Sequence, residues 1–227
     1  KVEGIRALGA EIHIVGKSQD DAQTEVDRLV AEEGLAMLPP FDHPGIIAGQ
    51  GTIGLELVED LPELEAVLVP LSGGGLISGV ALAVKTACPG ARVIGISMAR
   101  GAAMHASLAT GRPVLVEELG TLADSLGGGI GLANRWTFPM VRELVDEVVL
   151  LEEEEIAAGI RHAYWGEQEI VEGAAAVGIA ALLTGKVRPH GPVAVVLSGR
   201  NIDMELHQRL ITGSGQLPAQ DQPPCPT

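Results

Sequence analysis

Aromatic side chains are scarce: phenylalanine, tryptophan and tyrosine make up 2% of the 227 residues. A core without large rings has to be built from Ala, Val, Leu and Ile, which suits helices packed closely on a parallel sheet. Cysteine is also rare. Cys88 and Cys225 lie far apart, the second in a Pro/Gln-rich tail, so neither a disulfide framework nor a zinc motif is indicated and a reducing cytosol is the default setting. Basic residues are outnumbered, 15 Lys and Arg against 30 Asp and Glu for a net charge of -15. That balance argues for a soluble protein and against a nucleic-acid surface, which needs a positive stripe. No apolar run approaches the roughly 18 residues of a membrane helix, and no signal-peptide pattern is present. What the chain does have is length and hydrophobicity, 46% of its residues, enough for one sizeable domain and part of a second.

The remaining residues are organised around Ala66 to Ser78, A-V-L-V-P-L-S-G-G-G-L-I-S. Ala66 to Leu71 is a continuous apolar run, the pattern of a strand buried on both faces of a parallel sheet. Ser72-Gly73-Gly74-Gly75 breaks it, and Leu76 to Lys85 predicts a buried helix. Successive glycines are costly in chain entropy, but they let backbone N–H groups approach an anion at a helix N-terminus. The unit therefore reads as a phosphate cradle, with a tight strand-to-helix turn as the alternative. A Walker loop would place Gly-Lys-Ser/Thr at the turn, yet no lysine follows until Lys85, which disfavours a nucleoside triphosphate. Gly73, Gly75 and Ser78 miss the G-x-G-x-x-G spacing, and the next strand, Arg92 to Ser97, ends without the acidic residue that a dinucleotide site wants.

Before the cradle, Lys1 to Leu8 predicts a helix stopped by Gly9, Glu11 to Val15 a strand, Gln19 to Glu33 a helix capped by Ser18, and Leu35 to Leu38 a short strand. The chain opens without a start methionine inside what reads as a helix, the pattern of a piece of a longer chain. His13 reads as a strand residue rather than a metal ligand, and His43 as a turn histidine in the boundary cluster Phe41-Asp42-His43-Pro44. Gly49, Gly51 and Gly54 in the helix from Gly45 to Asp60 imply a backbone or a ligand pressed against one face.

After the cradle, Met98 to Arg112 reads as a helix and turn, and Thr121 to Gly131 as a second glycine loop, either a functional wall or a mobile linker. Phe138 to Val145 predicts a helix, Glu147 to Leu151 a strand, Ile156 to Gln168 a helix, Gly173 to Leu183 a closely buried helix and Pro192 to Leu197 the last strand. The four carboxylates Glu152 to Glu155 read as a solvated helix start rather than an acid and base pair. Gly213 to Thr227 reads as a disordered tail.

Three segments in order, Ile47-Ala-Gly-Gln-Gly-Thr-Ile53, Pro70-Leu-Ser-Gly-Gly-Gly-Leu76 and Val196-Leu-Ser-Gly-Arg-Asn-Ile-Asp203, resemble the pyridoxal-phosphate enzymes of the threonine dehydratase and serine racemase family. Thr121-Leu-Ala-Asp124 and Ile170-Val-Glu-Gly173 agree with them. Within that family, A-D-S-L-G-G-G-I-G-L-A-N-R looks closest to the dehydratase branch of hydroxyectoine utilisation.

The resemblance implies an α/β fold of type II, tryptophan-synthase-β-like, with a parallel sheet flanked by helices and an N-terminal part missing. Residues 1–40 would be the C-terminal part of a small domain and 41–212 the large cofactor-binding domain. The cofactor would be pyridoxal 5'-phosphate, its phosphate taking N–H groups of Ser72, Gly73, Gly74, Gly75 and Leu76, and its pyridine nitrogen meeting Ser198. A serine there does not hold that nitrogen protonated, which favours prompt loss of a β-hydroxyl. Asp124, Ser125, Glu172 and Gly199 would stand near the ring and the substrate.

The implied activity is dehydration of a β-hydroxy amino acid such as threonine or serine to a 2-oxo acid and ammonia, in a cytoplasmic homo-oligomer without a nucleic-acid or membrane partner. A racemase, or an inactive truncated cofactor-fold fragment, is the alternative. The chain departs from the family in two motifs. Neither Ser-x-Lys-x-Arg-Gly, which carries the Schiff-base lysine, nor Ser-x-Gly-Asn-His is present, and Lys1, Lys17, Lys85 and Lys186 all lack that context. Both motifs are expected upstream of Lys1. The acidic metal ligands of serine racemase would fall at Ser97 and Ala103, so no such metal site is expected.

Overall fold

The structure, a computed structural model, describes residues 1–213; apart from Gly213, the expected disordered tail lies outside the described residues, as does Cys225. Two helices come first, α1 (Val2–Ala7) and α2 (Gln19–Glu33), then α3 (Pro44–Asp60) and the strand β1 (Ala66–Pro70). Helix α4 (Gly75–Ala87), strand β2 (Arg92–Met98) and helices α5 (Ala103–Thr110) and α6 (Thr137–Leu144) follow, with a 3-10 turn at Asp124–Leu126 between the last two. The rest is β3 (Glu147–Leu151), α7 (Glu153–Trp165), α8 (Gly173–Leu183), β4 (Val193–Val195) and α9 (Met204–Ile211).

The four strands form one parallel sheet in the order β3-β2-β1-β4. All residues of β1 are buried, as a central strand covered on both faces requires. Alternate side chains then serve opposite cores. Ala66 and Leu68 join Ile94, Ile96, Leu151, Ile156, Ile160 and the alanines of α8 on one face. Val67 and Val69 join Leu71, Ile77, Val80, Val84, Val93, Phe138 and Val141 on the other. This is the expected α/β arrangement, a parallel sheet flanked by helices.

Two of the three glycines singled out in α3, Gly51 and Gly54, are explained by a neighbouring helix. A Cβ on Gly51 would meet the Gly79 carbonyl oxygen at 3.3 Å, and one on Gly54 would meet Ala83 Cβ and Val80 O at 2.8 Å. Helix α4 answers with Gly79, whose Cβ would strike Ile47 O and Gly51 N. Gly49 has no such neighbour. No helix is long and apolar enough to cross a membrane among the described residues.

Two expected strands do not form. Residues 11–15 and 35–38 have no regular secondary structure, are mostly exposed and lie outside the sheet, because an apolar alternation makes a strand only when a neighbour completes its ladder. The last strand contracts from Pro192–Leu197 to Val193–Val195, which pairs with β1 alone. Helix α5 begins at Ala103 because β2 runs on through Met98. Helix α7 starts earlier than expected, with Glu152 as its N-cap in a capping box with Glu155. The cap of α2 is as read, Ser18 and Asp21 forming a capping box; His13, expected in a strand, lies outside the sheet and has a carboxylate partner, Glu11, at 2.9 Å. His43 is more than a turn residue, since its Nδ1 accepts the Gly45 N–H at the start of α3.

Candidate functional site

The cradle forms where β1 gives way to α4. Leu71 makes the last sheet hydrogen bond, its N–H donating to Ile96 O at 2.8 Å. Ser72 and Gly73 turn the chain, and Gly74, with φ of +90°, is the N-cap of α4 without any side-chain cap. Gly73, Gly74 and Gly75 are buried. The first N–H groups of a helix have no intrahelical partner, and among the described residues no acceptor takes the N–H groups of Ser72 to Leu76. Buried donors are rarely left unpaired, so this row is built for an acceptor that the chain does not itself supply.

The glycines are required by their protein neighbours. A Cβ on Gly73 would enter the Phe41 ring, one on Gly75 would lie 3.0 Å from Phe41 Cα, and one on Gly74 would lie 2.9 Å from Met104 Cε and 3.0 Å from Thr137 Cβ. Phe41 and the start of α6 therefore back the cradle. Asp42 fixes that start: its carboxylate accepts the N–H groups of Arg135 at 2.7 Å, Trp136 at 2.8 Å and Thr137 at 2.9 Å.

A cavity of about 350 Å³ lies beside the cradle, lined by Pro40, Ile46, Gln50, Ile53, Leu76, Val196, Leu197 and Ser198. It brings Leu76, at the start of α4, to the same space as Ser198, just beyond β4, although 122 positions separate them in the sequence (198 minus 76). A larger cavity of about 550 Å³, lined by His162, Glu169, Leu182 and Val195 among others, shares Leu197 with it and none of the candidate cofactor residues. Size alone would favour the second, but the chemistry stands at the first.

The remaining candidates gather at the N-terminus of α8. Glu172 is its N-cap residue, the Glu172 N–H donates to Gly199 O at 3.2 Å, and a Cβ on Gly199 would strike Glu172 Oε1. Ser125 Oγ donates to Glu172 Oε2 at 3.5 Å. Lys1 Nζ donates to Asp124 Oδ2 at 2.6 Å and to Ser125 Oγ at 3.3 Å. Burial raises the Glu172 carboxyl above the usual glutamate range; the Lys1 charge opposes this, the Asp124 charge adds to it and the Ser125 hydrogen bond opposes it. Ser198 and Gly199 thus join two neighbouring sets, the N–H row with its cavity and a polar group of Asp124, Ser125 and Glu172.

One residue read as solvated is a structural part of this wall. Glu153 is 5% exposed; its carboxylate accepts the Thr121 hydroxyl at 2.6 Å and the Leu122 N–H at 2.7 Å. The expected solvated helix start therefore describes Glu152 and Glu154, which are exposed, and not Glu153. The signal was available in helical phase, because Glu153 shares a face with Ile156, Ala157 and Ile160. Phe41 and Asp42 carried no comparable signal, since their contacts lie 32 to 95 positions away.

An N–H row without acceptors and a cavity beside it that Ser198 lines fit a small phosphorylated compound. The comparisons agree. The family described as pyridoxal-phosphate dependent enzyme matches residues 1–199. A Sinorhizobium fredii protein that carries the provisional name threonine dehydratase is 66% identical over 94% of this chain and 64% of its own length. The processed form of threonine deaminase isoform 2 from Solanum lycopersicum superposes with a TM-score of 0.81 at 36% identity, over 95% of this chain and 63% of that one. Maize serine racemase gives 0.81 at 31% identity, over 93% and 65%. The chain thus spans a little under two thirds of the length of each. On this evidence the chain belongs to the family of pyridoxal-phosphate dependent enzymes.

Proposed function

We propose that the protein carrying this chain is a dehydratase that removes water from a β-hydroxy amino acid such as threonine or serine and releases ammonia, leaving a 2-oxo acid. The observation that carries this reading is the row of N–H groups from Ser72 to Leu76, buried at its three glycines, beside the cavity that Ser198 lines. These N–H groups would bind the cofactor phosphate, each charge-assisted bond contributing about 1.5 to 3 kcal/mol. Ser198 would hydrogen-bond the pyridine nitrogen without keeping it protonated. When bound, pyridoxal phosphate supplies the electron-withdrawing ring that acidifies the substrate α-carbon.

The polar group beside Gly199 suits a β-hydroxy substrate. Glu172 keeps its proton to higher pH than an ordinary glutamate, and Asp124 and Ser125 offer further hydrogen bonds to a hydroxyl or an amine. None of Lys1, Lys17, Lys85 and Lys186 sits in the family's lysine motif. The reading therefore assigns the Schiff-base lysine to a part of the enzyme outside these 227 residues, with residues 1–40 as part of a small domain and 41–212 as most of the large one. The run from Ala123 to Arg135 supports a narrower placement in hydroxyectoine utilisation; a cytoplasmic homo-oligomer is part of the same proposal.

Maize serine racemase, with its TM-score of 0.81, favours racemisation as the second reading. The test is to give the full-length protein L-threonine and L-serine, measuring 2-oxo acid by a coupled assay and the D-amino acid by chiral chromatography. The dehydratase reading expects 2-oxo acid to dominate. D-serine without 2-oxo acid would replace it with the racemase, and neither product from either substrate would overturn both.

A further inference from the structure

Glu153 is a buried carboxylate to which the proposed chemistry gives no task. It lies in the first turn of α7, against the Thr121–Ala123 segment. Two donors from that segment converge on it, the Thr121 hydroxyl and the Leu122 N–H. The Thr121 oxygen in turn accepts the Ala123 N–H at 3.1 Å. Three successive residues are thus tied, directly or through one hydroxyl, to a single carboxylate. The next two residues in the chain are Asp124 and Ser125.

The same segment is pressed against the start of α8. A Cβ on Gly173 would collide with the Leu122 carbonyl and lie 3.0 Å from Ala123 N, so Leu122 backs directly onto the residue that follows Glu172. The spacing between the two halves of the wall, Asp124 and Ser125 on one side and Glu172 on the other, is set where Leu122 meets Gly173. Glu153 holds Leu122 in that place. A buried carboxylate repays its desolvation only when its oxygens are satisfied by donors held in register, and both oxygens of Glu153 are.

We propose that Glu153 is a positioning residue for the β-hydroxy subsite: acting through Thr121 and Leu122, it fixes Asp124 and Ser125 relative to Glu172. This rests on the dehydratase reading for the meaning of the subsite, though not for the geometry.

The test uses the full-length, cofactor-loaded protein with Glu153→Gln, Thr121→Val and Thr121→Ser. A glutamine of the same shape replaces one acceptor by a donor, leaving the Thr121 proton without its carboxylate. Misplacement of a substrate-orienting group by about 1 Å costs up to a hundredfold in rate. Glu153→Gln and Thr121→Val should therefore each lose about tenfold to a hundredfold in kcat/KM with cofactor content unchanged, while Thr121→Ser stays within about threefold because its hydroxyl survives. Independently of activity, the titration of Glu172, followed by carboxyl carbon NMR, should shift in the first two variants and not in the third, since Lys1, Asp124 and Ser125 are the groups that face it.

A kcat/KM within twofold of wild type together with an unmoved Glu172 titration would overturn the proposal. So would activity lost only in proportion to cofactor or folded protein. If Glu153→Gln does not fold, Thr121→Val decides. Should the wild type show no dehydratase activity, the functional reading fails, and the Glu172 titration still settles the positioning.

Discussion

The two glycine-rich loops look alike as sequence, Ser72-Gly-Gly-Gly75 and Leu126-Gly-Gly-Gly-Ile-Gly131, yet Gly73 in one and Gly131 in the other are glycine for different reasons. In the first, Gly73 has no positive φ but is crowded: its missing Cβ would sit in the Phe41 ring. In the second, Gly131 has φ of +76° and nothing within 4 Å of a Cβ. One glycine is there for space and the other for backbone conformation. The crowded loop is the one whose free N–H groups open an α-helix, α4. A run of glycines therefore signals a site when packing closes one side of the backbone and its free donors open a helix on the other.

The sharpest way to break this comparison is Gly73→Ala. The added methyl must displace Phe41, and overpacking of this kind costs about 1 to 3 kcal/mol. Because Phe41 backs the cradle, we expect cofactor retention to fall with the thermal midpoint, measured by bound-cofactor absorbance and by melting. Asp42→Ala comes next. It removes the acceptor of three N–H groups at the start of α6, a loss of about 1 to 2 kcal/mol by analogy with helix caps, and loosens Thr137 behind Gly74. Denaturant titration should show the loss, and Asp42→Asn should recover part of it. Gly131→Ala should cost only about 1 kcal/mol, the penalty of a left-handed backbone for a residue with a Cβ, with cofactor affinity unchanged by titration calorimetry. Equal losses from Gly73→Ala and Gly131→Ala would erase the distinction between the loops.

The smallest effect carries a sign. Burial raises the Glu172 carboxyl, so in this window the folded state binds more protons than the unfolded state. The stability that Glu172 contributes is then complete below the ordinary glutamate value and is lost as pH climbs through its raised folded value. Glu172→Gln should flatten that decline, and melting curves at pH 4 and pH 7 should show a smaller drop between them for the variant than for the wild type. His207 acts in the reverse sense, since burial lowers its pKa and stability falls as pH drops below the ordinary histidine value.

The parts of the fold legible from sequence are those whose causes are local. The apolar run of β1 followed by glycines and an apolar helix gave the central unit, and Ser18 ahead of an acidic first turn gave the cap of α2. Residues 11–15 and 35–38 misled because a strand exists only with its partner, and the alternation says nothing of whether one is there. At the site, Ser72 to Leu76, Ser198, Asp124, Ser125, Glu172 and Gly199 were each visible as residues, but the tie between Glu172 N–H and Gly199 O needs the sheet to bring β4 alongside α8. Glu153 was hidden by its neighbours: in a run of four acids only helical phase separates the buried one from the solvated. Phe41 was hidden differently, because nothing near it in sequence says that a ring will close one side of a cradle 32 residues on (73 minus 41).

The central claim is that the N–H row from Ser72 to Leu76 is an acceptor site for the cofactor phosphate. The most direct measurement is the amide 15N–1H shift of Gly73, Gly74, Gly75 and Leu76 in the full-length protein freed of cofactor, titrated with pyridoxal 5'-phosphate and, separately, with pyridoxal. The account predicts large, saturable shifts at these amides with the phosphorylated compound and far smaller ones without the phosphate. Unmoved amides on cofactor binding, or equal shifts with pyridoxal, would contradict it.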